Sequence, residues 1–180
     1  MDQRLRLIEA ALSSHNLRSS IIKDRTMNML KEALLIATQE FRVLPVSPPA
    51  LGDPKSGKRP LIKDWVRLAT TNAEQIRKWW SQWPEANIGI ATGKEFGLFV
   101  LDVDVATGVL ESVEMRIKQA AWPDPPMVRT GSGGLHIYLP YDCSFPLGNS
   151  PPGLDIRGEG GYVIAPPSLH ASGKRYEWID

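Results

Sequence analysis

A chain of 180 residues, 42% hydrophobic and 23% charged, has the size and composition of one globular domain, with or without a small appendage. Its 21 basic and 20 acidic residues leave a net charge of +1, so a nucleic-acid partner has to be met by a local basic face and not by the total. Cys143 is the only cysteine, which excludes an internal disulfide and a cysteine-based zinc cluster, and three histidines (His15, His136, His170) make a histidine-rich metal centre unexpected.

The N-terminus alternates charge and lacks the apolar core of a signal peptide. No apolar run approaches the ~20 residues that span a bilayer. No membrane contact and a cytoplasmic location are therefore expected. Residues 3–14 and 26–40 read as helices, with Leu5, Ile8 and Leu12 on one face of the first and Leu30, Leu34 and Ala37 on one face of the second. Residues 1–25 form an N-terminal extension and residues 26–180 the main domain. Residues 41–46 read as a short strand that runs into a Pro/Gly/Lys loop. A helix follows over 72–83, capped by Thr71 or Asn72 and stopped by Pro84. Its Trp79, Trp80 and Trp83 are read first as core packing, with base stacking as the lesser alternative.

From Asn87 the texture changes to strands joined by glycine turns: NIGIATG, GLFVLDVDV, LHIYLP, GLDIRG and GYVIAPP. Residues 108–120 read as a helix between two of them. The result is an α+β domain with a largely antiparallel or mixed sheet.

Three of these strands carry polar residues suited to chemistry. In the segment 98–105, alternation puts Asp102 and Asp104 on one face, roughly 6–7 Å apart at the backbone, and Leu101, Val103 and Val105 on the other. Two same-face carboxylates on an apolar strand are costly unless neutralised, and Mg²⁺ or Mn²⁺ does this well. The plain alternative is a strand ending in solvent. In the segment 129–139, the turn Ser132-Gly133-Gly134 offers backbone N–H groups to a phosphate, and His136 and Tyr138 share the face opposite Leu135, Ile137 and Leu139. His136 is either structural or a residue that contacts phosphate or handles a proton. In the segment 153–158, Asp155 and Arg157 share a face, either as a surface ion pair or as a third metal ligand beside a triphosphate-binding arginine. Ser168 and His170 emerge just past the last strand. Together these elements match a two-metal phosphoryl-transfer layout.

The stretches NIGIATG (87–93), VLDVDVATG (100–108), RTGSGGLHIYL (129–139) and GLDIRGEGGYVIAPPSLHASGKRYEW (153–178) resemble, in that order, the bifunctional primase-polymerase domain of the archaeo-eukaryotic primase superfamily. FRVLPVSP, GKRPLIKDW and QIRKWW fall upstream in the family's order, so the resemblance runs from about residue 30 to residue 178. It implies an RRM-like catalytic half packed against a small N-terminal αβ unit. It implies Asp102, Asp104 and Asp155 as ligands of two Mg²⁺ or Mn²⁺ ions, with His136 as the histidine of the second motif, against the nucleotide's phosphates. It also implies a nucleotide site lined by Thr130, Ser132, Gly133, Gly134, Arg157, Ser168 and His170. The position two before the histidine, often Ser in the superfamily, is Gly134 here. The implied activity is DNA-templated primer synthesis, extension or both from NTPs or dNTPs. The helicase domain of larger relatives has no room in this chain, so a helicase is expected in cis on a longer protein or in trans.

Two other readings stay open. One is a domain that has lost synthesis and holds only single-stranded DNA or nucleotide. The other is a metal-dependent glycosyltransferase, which also uses a DxD strand. The intact carboxylates weigh against the first, and the GLDIRG and SGGLH elements against the second. For a single-stranded template, Lys55, Lys58, Arg59, Lys63 and Arg67, with Trp65 among them, form the densest local excess of positive charge. Alternatives are a solvated loop with Trp65 in the core, or Lys58 or Arg59 reaching the nucleotide's phosphates.

Overall fold

The computed structural model describes residues 29–53, 55–104, 108–119, 124–141 and 151–179. The expected helix over 3–14, the extension 1–25 and Val105 lie outside these residues. Helix α1 (Met29–Thr38) precedes β1 (Val43–Val46). A short α2 (Trp65–Leu68) and α3 (Ala73–Gln82) then lead to β2 (Asn87–Thr92) and β3 (Leu98–Val103). Helix α4 (Leu110–Gln119) is followed by β4 (Met127–Arg129), β5 (Leu135–Pro140), β6 (Leu154–Arg157), β7 (Gly161–Ala165) and β8 (Glu177–Ile179). Among the described residues no helix is long and apolar enough to cross a membrane.

The α+β class holds, and the strands divide into two antiparallel sheets. One has the order β1-β2-β7 and the other β6-β3-β5-β4-β8. Strands β4 and β8, three residues each, were not anticipated, because so short a run shows no periodicity. Nor was α2, inside the basic segment, anticipated. At the start of α3, Asn72 is the cap, its side chain accepting from the Gln75 N–H. Trp79 and Trp80 are buried, and the Trp80 indole N–H donates to the Ala86 carbonyl, so this cluster is core.

Alternation along β3 and β5 decides where chemistry is possible. Phe99, Leu101, Val103, Ile137 and Leu139 pack with Val113 and Ile117 of α4 in one core. Leu98, Val100 and Tyr138 turn the other way, into the main core shared with α1, α3 and the three-stranded sheet. Asp102 and His136 continue that second face just where its apolar residues run out. The site therefore opens at the edge of the main core.

Candidate nucleotidyl-transfer site

The site is a row across three strands. Asp102 on β3 is the register partner of His136 on β5 and of Asp155 on β6. Residues opposite each other in an antiparallel pair share a face, and a slip of one residue would send every side chain to the other. Asp155 therefore lies on the same side of the sheet as Asp102. Arg157 starts one step back, opposite Val100, and reaches forward. One of its guanidinium nitrogens donates to Asp102 Oδ2 at 3.2 Å and to Asp155 Oδ2 at 3.1 Å. Asp104 lies one residue past the end of β3, exposed, its N–H donating to the Gly153 carbonyl at 2.7 Å.

His136 is 5% exposed. Its Nε2 stands 3.7 Å from Asp102 Oδ1, beyond hydrogen-bond length, and its Nδ1 has no partner among the described residues. Burial pushes its pKa down to about 4. The Asp102 charge opposes that shift, while Arg157 and Lys58 add to it. The ring is neutral at pH 7. Tyr176 stands between the two histidines, with ring centroids 5.8 Å from His136 and 6.0 Å from His170. Burial first, and then the Asp102 charge, push its phenol up to about 12.

The glycine turn closes tightly. Thr130 N–H donates to the Gly134 carbonyl and Gly133 N–H to the Thr130 carbonyl, both at 2.9 Å. The Thr130 and Ser132 hydroxyls are 2.9 Å apart. Gly134 is needed for space: a Cβ there would lie 2.7 Å from the Val103 carbonyl oxygen. A serine at this position would not fit without moving β3. Gly131 likewise leaves room for His170, whose Cβ would be 2.1 Å from any Cβ added there.

His170 is 8% exposed, and its Nδ1 faces the Ser172 N–H at 3.1 Å. An N–H can only donate, so Nδ1 accepts and the neutral ring carries its proton on Nε2. The Ser172 hydroxyl donates to the Gly131 carbonyl at 2.7 Å, tying the His170 loop to the glycine turn. Ser168 differs from its expected role. It is fully buried, its oxygen accepts from the Ile88 N–H at 2.9 Å, and it braces the loop without presenting a ligand surface.

The basic segment divides. Lys55, Arg59 and Lys63 are exposed. Arg67 pairs with Asp64 at 3.2 Å. Trp65 packs edge-on against Tyr162, centroids 4.8 Å apart, and joins the core in the way the bland alternative held. Lys58 is exposed, and it follows Gly57, whose carbonyl shares the Asn87 amide with the carbonyl of Leu169, the residue before His170. Asn87, Ser172 and Tyr176 carried no assignment from sequence. None belongs to a motif that periodicity or charge would mark.

Among the described residues no group of three or more His, Cys, Asp or Glu side chains stands ready to hold a metal ion. The cation between Asp102 and Asp155 is the Arg157 guanidinium. Two hard carboxylates that already share a cation nevertheless form a donor set suited to Mg²⁺ or Mn²⁺.

A family model described as bifunctional DNA primase/polymerase, N-terminal, matches residues 33–180, well over half of the chain. A search of curated proteins found no match.

Proposed function

Since the chain belongs to the bifunctional DNA primase/polymerase family, whose members act in general by nucleotidyl transfer, we propose that it adds nucleotides from NTPs or dNTPs to a chain paired with a single-stranded DNA template. The observation that carries this reading is the row Asp155–Asp102–His136, with Arg157 across its two carboxylates. We read the five-stranded sheet, with α4 on its far face, as the RRM-like catalytic half.

Asp102 and Asp155, with Asp104 one strand step on, are the residues that would hold two divalent cations. Mg²⁺ or Mn²⁺ bound there would lower the pKa of an attacking 3′ hydroxyl and neutralise the triphosphate. Arg157 is the cation set to receive a phosphate oxygen in exchange for one of its carboxylates. Neutral His136 can donate a hydrogen bond to a phosphate without adding charge. Gly134 lets the turn lie against the end of β3, the strand that carries Asp102. Lys55, Arg59 and Lys63 would carry the template's phosphates.

The test is incubation of the chain with a single-stranded template, Mg²⁺ or Mn²⁺, and labelled dNTPs or NTPs, with and without a primer. The expected result is template-directed product, abolished in Asp102→Ala and Asp104→Ala variants that stay folded. Wild-type product in either variant refutes the assignment. Binding of nucleotide and template without product would leave a module that holds its ligands but does not join them.

A further inference from the structure

We propose that Asn87 is a positioning residue that fixes Lys58 beside His170, so that this lysine of the basic loop serves the phosphate groups of the incoming nucleoside triphosphate and not the template. The inference rests on the nucleotidyl-transfer reading and deepens it.

Asn87 opens β2 and is 2% exposed. Its amide nitrogen donates to the Gly57 carbonyl at 3.2 Å and to the Leu169 carbonyl at 2.9 Å. Its amide oxygen accepts from the Leu169 N–H at 2.9 Å. One buried side chain therefore ties together two segments far apart in sequence. A buried amide that satisfies its donors and acceptor in this way is costly to disturb. The next residue after Gly57 is Lys58, and the next after Leu169 is His170.

Further contacts hold the same arrangement. The Tyr162 hydroxyl donates to the Lys58 carbonyl, and the Tyr162 ring is backed by Trp65. Gly57 is buried with φ 73°, and a Cβ there would lie 2.8 Å from Pro49 Cβ. The Ile88 N–H adds its bond to Ser168 Oγ. At Lys58 the basic segment is thus a held turn. The Lys58 side chain is exposed and has no carboxylate partner among the described residues. Its charge adds to burial in holding the His170 pKa below the ordinary histidine value. An ammonium on a turn tied by Asn87 to the segment that carries His170, which Ser172 joins to the glycine turn, forms a receptor for an anion. In this enzyme class the anion at hand is a triphosphate.

The test uses the full chain with Mg²⁺, a fluorescent dNTP, the matching monophosphate, inorganic tripolyphosphate as competitor, and a labelled oligo-dT titrated across NaCl. Lys58→Ala is expected to weaken dNTP and tripolyphosphate binding by about tenfold. The monophosphate and the oligo-dT salt slope should not change, and Lys58→Arg should recover part of the loss. Asn87→Ala should reproduce the loss, and the double variant should be no worse than the weaker-binding single variant, because Asn87 acts through Lys58. Tyr162→Phe, which keeps the ring, should show a smaller loss of the same kind and supplies the test if Asn87→Ala does not fold. A change of oligo-dT salt slope with dNTP affinity intact in Lys58→Ala would assign the lysine to the template and overturn the inference. Additive losses in the double variant would reduce Asn87 to a fold brace and overturn it as well. If wild-type chain extends primers while Lys58→Ala binds dNTP normally, only this inference fails. If wild-type chain neither binds dNTP nor extends, the nucleotidyl-transfer reading itself fails.

Discussion

Asp102 and Asp155 face each other as register partners on neighbouring antiparallel strands, and a single Arg157 nitrogen holds both carboxylates. Two carboxylates alone at that spacing would repel each other, and removing one would relieve the fold. The guanidinium changes that balance by supplying the compensating charge.

Arg157 and a divalent ion therefore compete for the same oxygens. Arg157→Ala is expected to bind Mn²⁺ severalfold more tightly than wild type in the absence of nucleotide, while binding triphosphate more weakly. Mn²⁺ titration followed by electron paramagnetic resonance, with and without dNTP, reads both changes. Unchanged Mn²⁺ affinity would mean that the ions do not use the gap between Asp102 and Asp155.

The buried His136 makes stability depend on pH in a defined window. Its pKa is about 4 in the folded chain against the ordinary 6.5, so between these values the unfolded chain binds a proton that the folded chain does not. The stabilisation is complete above pH 6.5 and is lost as the pH falls toward 4, by at most about 3 kcal/mol. His170, also lowered, contributes in the same direction. Asp102, Arg157 and Lys58 are the charges that tune the His136 value. Urea unfolding at pH 7.5 and pH 5 should show the loss in wild type and a smaller loss in His136→Asn. Equal slopes in the two proteins would show that His136 is not the group responsible.

Gly134→Ala puts a methyl 2.7 Å from the Val103 carbonyl oxygen, a backbone atom that cannot turn aside. The expected cost is about 1–3 kcal/mol, with lost primer extension, because relief moves either the end of β3 or the turn before His136. Gly158→Ala is the control, since a Cβ there meets nothing within 4 Å. Thermal melts and extension assays on the two variants test this. Equal tolerance of both would show that the approach of Gly134 to β3 is not required.

Neutralising Lys55, Arg59 and Lys63 together should weaken single-stranded DNA binding and flatten its salt dependence. Each phosphate contact on a single strand contributes about 0.7 to the logarithmic slope, so the change approaches about 2. Arg67→Gln should have little effect, because Arg67 is already paired with Asp64. An unaltered slope in the triple variant would leave these residues as a solvated surface.

Local periodicity was sufficient for much of this molecule. Alternation alone separates Asp102 from Leu101 and Val103, and His136 from Ile137 and Leu139, because the strand's period of two is a property of the backbone. Asn72 was legible as a cap, and Trp79 and Trp80 as core, for equally local reasons. The order of the motifs carried the family. Tertiary structure alone decided the pairing. Which strand lies beside β3, and in what register, depends on contacts between residues distant in sequence, and from these come the opposition of Asp102 to Asp155 and the reach of Arg157 across both. The same holds for Ser168, which the resemblance set among the residues lining the nucleotide site and whose oxygen the fold places on the Ile88 N–H. It holds most of all for Asn87, an ordinary residue at a strand start. Its function as a clamp exists only because the fold brings Gly57 and Leu169, 30 and 82 residues away in the chain, within reach of one amide.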